Sequence, residues 1–439
     1  MLSKHALATV LVACFGVSPT SPLLAQDLYF PPAAGDDWAA VSPAEAGYCP
    51  EGLDALDSLL AATNSKAFLL LKDGRIVHER YFGDFTRDSL WVWNSAAKSL
   101  TASIVGVAAA EGLLDLDAAT STYLGTGWTS LPPEREAAIT VRHQLTMTTG
   151  LDEDVDDFYC TEPACLAYRT APGTRWAYHN GPYTLLVDVV EAAADNGING
   201  YLRRRILDPT GMRGLFREVG FNRRFISRPR DMARFGLLLL GGGTWDGTIV
   251  LDADYVRAMT TPSQALNPAY GYLWWLNGQD TYRLPGSQAS FPGPLAASAP
   301  DDAFAALGKD GQVMMVSPSR GEVWVRMGER PTDRGAFVPN VYLEDVSAAI
   351  AAAQCTSSSE EARTASAPLR AYLSGGTLHT EVREGIERLL LVNAVGQVVR
   401  TAQRPGGDAM DVTALAPGVY RVVAWGREGV VGQAAVVRP

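Results

Sequence analysis

Strand-forming sequence lies on both sides of a long helical stretch, and this constrains the fold of the 439-residue chain more than any other feature. Ala67–Leu71 and Ile76–Tyr81 read as two strands joined at Asp73-Gly74, a strong hairpin turn. Strand character returns only at Gly271–Leu276, Gln312–Val316 and Glu322–Met327. Between them, from about Leu116 to Met259, the chain reads as mostly helical, with loops such as Ala171-Pro172-Gly173 and Gly241-Gly242-Gly243. A helix over Leu53–Ala62 precedes the sheet and one over Leu343–Ala353 closes it. A sheet interrupted by a helical insertion implies an α/β plus all-α fold with a cleft between the two parts.

Past Cys355 the sequence becomes small and polar, CTSSSEEARTASAP, which predicts a linker over 356–368. The runs Leu389–Asn393, Gln397–Thr401, Val419–Trp425 and Ala434–Val437 then predict a β-sandwich over 369–439. At the other end, residues 1–25 carry Lys4, an apolar run and a small residue at Ala25, the pattern of a secretory signal cut before Gln26. Its removal leaves four cysteines in an oxidising compartment. Four cysteines allow three pairings; Cys160 with Cys165 across a short loop, and Cys49 with Cys355 joining the ends of one domain, is the expected one.

The stretch WNSAAKSL places Ser95 and Lys98 at the start of a helix, capped by Asn94 or Ser95 and ending near Gly112. Residues three apart share a helix face, so the Lys98 amine falls within reach of the Ser95 hydroxyl. Ser-x-x-Lys alone is a weak signal. Two further elements accompany it: Tyr178-His179-Asn180, and Lys309-Asp310-Gly311-Gln312 leading into a strand, so that two of the five lysines occupy motif positions.

Ser-x-x-Lys, Tyr-x-Asn and Lys-x-Gly in this order resemble the serine β-lactamase and penicillin-binding fold. The segments ITVRHQLTMTTGL (Ile139–Leu151), SRPRDMARFGLLLLGGGTWDG (Ser227–Gly247), YGYLWWLN (Tyr270–Asn277) and ALGKDGQ (Ala306–Gln312) extend the likeness to β-lactamase-related esterases and amidases, over about residues 40–353. Within them it is nearest to 6-aminohexanoate-oligomer hydrolases. The resemblance implies an antiparallel sheet flanked by helices, and an acyl-enzyme on Ser95. Lys98, Tyr178, Asn180 and Lys309 complete the expected catalytic set; either a cationic Lys98 favours the Tyr178 phenolate as base, or neutral Lys98 is itself the base. The backbone N–H groups of Ser95 and Gln312 are the expected oxyanion donors. His179 either contacts substrate or fills the variable motif position; Gly311 borders the site; Trp274 and Trp275 either line the cleft or belong to the core. The acidic loop Asp152–Asp157 is either solvated or, with Cys160–Cys165, overhangs the cleft.

Asp310 stands where β-lactam-processing relatives carry Thr or Ser, and its charge repels the carboxylate of such drugs. Gln312 replaces a small residue and is expected to narrow the site. These differences favour a neutral ester or small linear amide over penicillin or peptidoglycan-like substrates. A non-catalytic binding protein on the same fold is the alternative from another class. No Gly-x-Ser-x-Gly elbow occurs, which argues against an α/β-hydrolase triad, and no paired histidine spacing or phosphate-binding glycine loop occurs, so no metal or other cofactor is expected. A net charge of −11 with interspersed signs argues against nucleic acid and against an anionic membrane surface as partners. Finally, Asp-Val-Thr-x-Leu-x-x-Gly-Val-Tyr-Arg-Val at Asp411–Val422 resembles the type IX secretion sorting domain, which implies export to the cell surface or medium through that secretion machinery.

Overall fold

The computed structural model describes residues 28–331, 339–355, 371–374, 377–380, 388–393, 398–403, 409–426 and 429–438. The expected leader and linker lie outside these residues. Strands β1 (Ser65–Lys72) and β2 (Arg75–Tyr81) form the expected hairpin. Asp73 and Gly74 take φ of +48° and +82°, as a primed two-residue turn requires. A Cβ on Gly74 would fall 1.8 Å from the Tyr29 carbonyl oxygen, so glycine alone fits there.

The hairpin belongs to a six-stranded antiparallel sheet with β5 (Trp275–Leu276), β6 (Phe304–Gly308), β7 (Gln312–Ser317) and β8 (Glu322–Gly328), ordered β2-β1-β8-β7-β6-β5. The first strand therefore pairs directly with the last, Leu69 opposite Val325. Alternate residues of β8 face opposite layers. Trp324 meets Phe68 and the side of helix α1 (Pro50–Ala62), where the His78 ring nitrogen lies 2.7 Å from Asp57. Val323 meets helix α4 (Pro229–Leu240), which comes so close at Gly236 that a Cβ would lie 2.5 Å from the valine. Covered on both faces, β6, β7 and β8 read as nearly unbroken apolar runs rather than alternating ones. Helix α5 (Pro339–Ala353) packs on α1, and the disulfide Cys49–Cys355 ties their outer ends. The second disulfide is Cys160–Cys165, so both expected pairings form.

The insertion is mostly helical in its regular structure, as expected, with one main departure. It contains helix α3 (Asn180–Ala193) and α4, but also a hairpin of β3 (Gly214–Val219) and β4 (Asn222–Ser227), whose second strand pairs with Trp91–Val92. Arginines occupy three positions of this hairpin and hide the strand signal; its inward face rests on the cross-strand pair Phe216 and Phe225, with ring centroids 5.1 Å apart. Strand character at Gly271–Leu276 contracts to β5 alone, while β6, built from Phe, Ala, Leu and Gly without a β-branched residue, was not expected.

In the C-terminal region, Arg388–Asn393, Val398–Gln403, Gly418–Gly426 and Gly429–Arg438 form one antiparallel sheet, and Ala371–Ser374, Thr377–Thr380 and Ala409–Asp411 another. Leu378 and Met410 of one sheet share a core with Leu391, Val422 and Val436 of the other. The Tyr420 hydroxyl donates to the Ala416 carbonyl at 2.7 Å, fixing the turn before its strand.

Candidate active site

Ser95 sits where a strand turns into a buried helix. Trp93 is fully buried, stacks edge-on against Phe225 and donates its indole N–H to Ser227 Oγ at 2.8 Å. Asn94 then takes φ of +49°, reversing the chain, and Asn94–Ala96 form a 3-10 turn that runs into α2 (Ala97–Ala110). Neither Asn94 nor Ser95 caps this helix. The Asn94 amide instead donates to the Lys309 carbonyl at 2.9 Å, which leaves the Ser95 hydroxyl turned to Lys98. Residues 97–108 of α2 are all buried, Lys98, Ser99, Thr101 and Ser103 included.

Lys98 is therefore a lysine inside the core, 2% exposed. Its Nζ lies 3.1 Å from Ser95 Oγ, donates to Asn180 Oδ1 at 2.7 Å, and stands 3.7 Å from the Tyr183 ring centroid and 4.8 Å from that of Tyr178. No carboxylate pairs with it among the described residues, and burial drives its pKa well below the ordinary 10.5. Burial also raises the Tyr178 phenol above its usual value, with the neighbouring Ser95 hydroxyl acting the other way. Both shifts favour neutral forms: an amine and a phenol, rather than an ammonium and a phenolate.

The two tryptophans separate by strand alternation. Trp275 stacks on Tyr178 at 5.9 Å and so backs the site; Trp274 packs between Phe235 and Phe304, fully buried, in the core. Tyr270 and Trp176 complete an aromatic wall around Tyr178. His179, just ahead of α3, is buried with neither ring nitrogen hydrogen-bonded among the described residues, and its pKa is pushed down to about 4 by that burial. The disulfide loop adjoins this point, since a Cβ on Gly181 would lie 2.5 Å from the Cys160 carbonyl oxygen. Asp152 and Glu153 of the acidic segment pair with Arg169 and Arg175.

The third motif is placed differently from expectation. Lys309, Asp310 and Gly311 form the turn between β6 and β7. Lys309 is exposed, and its amine makes no hydrogen bond or ion pair among the described residues. Asp310 is half-buried with φ of +65°. The backbone, not the lysine side chain, meets Ser95: a Cβ on Gly308 would lie 2.4 Å from the Trp93 oxygen and 3.1 Å from the Ala96 nitrogen. Gln312 does not narrow the site. Its side chain turns inward, donating to the Gly328 carbonyl at 2.6 Å and accepting from the Gly328 N–H at 3.0 Å. Fully buried Arg326 donates to the Asp310 and Gly311 carbonyls at 2.7 and 3.0 Å and to the Thr63 carbonyl at 2.6 Å, so the turn is held from behind.

Sequence reasoning missed Tyr183, Arg326 and Tyr270. Tyr183 had a usable signal, because it follows Asn180 by three residues on the same helix face. Arg326, an arginine within an apolar strand, was legible as an oddity but not as a brace. Two surface clefts of about 410 and 400 Å³ lie beside Asp208 and Asn199 and include no residue of the Ser95 cluster.

Residues 55–346 match the family model described as Beta-lactamase. The fold is similar to that of a Bacillus anthracis protein assigned as a 6-aminohexanoate-dimer hydrolase, at 18% identity and a TM-score of 0.55, covering 72% of this chain and 87% of that one. It is similar also to a penicillin-binding protein homolog from Caulobacter crescentus, at 17% identity and 0.52, covering 70% and 99%. A hydrolase with promiscuous acyltransferase activity matches at 12% identity and 0.51, covering 69% and 98%. At such identities the likeness is one of fold. No curated protein sequence gives a significant match.

Proposed function

The chain belongs to the beta-lactamase family, and from that premise we propose that it is a secreted serine hydrolase that cleaves esters or small linear amides through a Ser95 acyl-enzyme. The observation that carries this reading is the buried amine of Lys98, 3.1 Å from Ser95 Oγ and unpaired with any carboxylate among the described residues. Neutral Lys98 takes the Ser95 proton as Oγ attacks the carbonyl carbon. Tyr178, held as a phenol, protonates the departing alkoxide or amine and regains a proton from Lys98. Water then cleaves the ester by the same steps reversed. The Asn180 amide N–H group, buried without a partner among the described residues, is free to donate to substrate. The oxyanion rests between the N–H of Ser95 and that of Lys309, whose backbone abuts the Ser95 turn, rather than that of Gln312.

Asp310 beside this turn supports an uncharged substrate over one with a carboxylate. The leader-like residues 1–25, the two disulfides and the sorting-domain likeness of Asp411–Val422 support export by the type IX route. The test is labelling of the full chain with a fluorophosphonate, with p-nitrophenyl butyrate turnover in parallel. A single adduct and turnover, both lost in Ser95→Ala, are expected. Neither from folded protein would replace this reading with the binding-protein one, and fast cleavage of a chromogenic cephalosporin would replace the substrate class.

A further inference from the structure

Three groups surround the Lys98 amine, and their chemistry differs. The Asn180 carboxamide oxygen, at 2.7 Å, can only accept; the Tyr183 ring face, at 3.7 Å from nitrogen to centroid, can only accept; the Ser95 hydroxyl, at 3.1 Å, can donate. A neutral amine has two N–H bonds and one lone pair. Giving the N–H bonds to the two acceptors leaves the lone pair for the one donor. We propose that Tyr183 is a positioning residue that acts through Lys98: its ring face orients the lone pair toward Ser95 and then serves as the counterion of the ammonium formed when the proton moves.

This inference rests on the acyl-enzyme reading above. In the acylation step the Ser95 O–H bond breaks, an Oγ–carbon bond and a Lys98 N–H bond form, and the carbonyl electron pair moves to oxygen. A positive charge thereby appears in a pocket without a compensating carboxylate among the described residues. Among the described residues, the titratable groups around it are Tyr178 and Tyr183 themselves, with the phenols of Tyr270 and Tyr159 beyond them, and His179, between Tyr178 and Asn180, whose burial keeps its imidazole neutral. Asn180 is neutral, and the buried α2 residues flanking Lys98 are Ala97 and Ser99. The electron-rich face of Tyr183, 4% exposed and centred on the amine, is the strongest stabiliser on offer, because a cation–π contact gains strength when water is excluded.

The experiment places phenylalanine, 4-fluorophenylalanine and 3,4,5-trifluorophenylalanine at position 183 by codon suppression. The series keeps shape while draining charge from the ring face. Tyr183→Phe is expected to match the parent within about twofold, and the fluorinated rings to lose kcat stepwise, to about 10- to 30-fold, with KM unchanged. A weaker face makes the ammonium less stable, so the acid limb of kcat/KM moves stepwise to lower pH. Tyr183→Leu gives the end point, and thermal unfolding of each variant separates loss of fold from loss of the contact. An acid limb that stays fixed across the series, in protein whose Ser95 still takes the fluorophosphonate, overturns the assignment of Tyr183 alone. Failure of the parent protein to label or turn over overturns the acyl-enzyme reading and this inference with it.

Discussion

One wall of the Ser95 site is helical and presents side chains; the other is a hairpin turn and presents backbone. On the helical wall, Ser95 from the 3-10 turn and Lys98 from the first turn of α2 meet Tyr178, just ahead of α3, and Asn180 and Tyr183 in its first turn, through contacts of 2.7 to 4.8 Å. On the turn wall, Gly308 lies against the Ser95 turn while Lys309 points to solvent and Gln312 and Arg326 work from behind. Motif spacing on a helix specifies which side chains converge, because three residues bring a position back to the same face. Three residues at a hairpin tip specify no such thing. There the same letters belong to a strand or to its turn depending on where pairing stops, which here is at Gly308 opposite Gln312.

The contrast is breakable in order of size. Ser95→Ala on the helical wall is expected to cost about 10³-fold or more in turnover, read with p-nitrophenyl butyrate, since a nucleophile has no substitute. On the turn wall, Gln312→Leu leaves the Gly328 N–H and carbonyl without their buried partner. A kcat loss of about 10²-fold with KM little changed is expected if the turn aligns an oxyanion donor. Thermal unfolding of the same variant would register destabilisation of about 1–3 kcal/mol from the unmatched groups. Loss of stability without loss of kcat would reduce this wall to a structural element.

A smaller effect concerns pH. His179 folds with its pKa pushed down to about 4 from 6.5. Between those values the unfolded chain binds a proton that the native one does not, so stability is complete above 6.5 and declines as pH falls toward 4. Urea midpoints measured from pH 7 to pH 5 should fall in the parent and fall less in His179→Phe. The smallest effect is the sharpest test of the comparison: Lys309→Ala should stay within about twofold of the parent, as exposed substitutions do. A large loss would return Lys309 to the catalytic set and erase the difference between the walls.

These two walls also mark where sequence stopped being informative. The β1–β2 hairpin was legible because Asp73-Gly74 leaves few alternatives, and the buried helix because Ser95, Lys98 and the following Ala, Ile and Val residues share one pattern. Tyr178 and Asn180 were legible through a motif. The β3–β4 hairpin was not, because its arginines at 217, 223 and 224 mask the Phe216–Phe225 pair that makes it fold. Gln312 was misplaced because its side-chain amide satisfies Gly328, sixteen residues away across β8, a relation that no local window contains. Tyr183 was passed over although its spacing of three from Asn180 places it on the same helix face, because the motif names polar residues and a ring face is not one of them.

The Cys49–Cys355 bond brings together residues 306 apart in sequence, with Cα atoms 5.1 Å from each other. In topological terms the domain between them is a ring rather than a thread. A ring can be opened anywhere its backbone is exposed, and the Asp246-Gly247 tip between Thr244–Trp245 and Thr248–Ile249 is such a place. A circularly permuted gene that fuses the two cysteine-bearing ends and starts at Gly247 should encode the same domain, with new ends far along the chain from both Ser95 and the Gly308 turn.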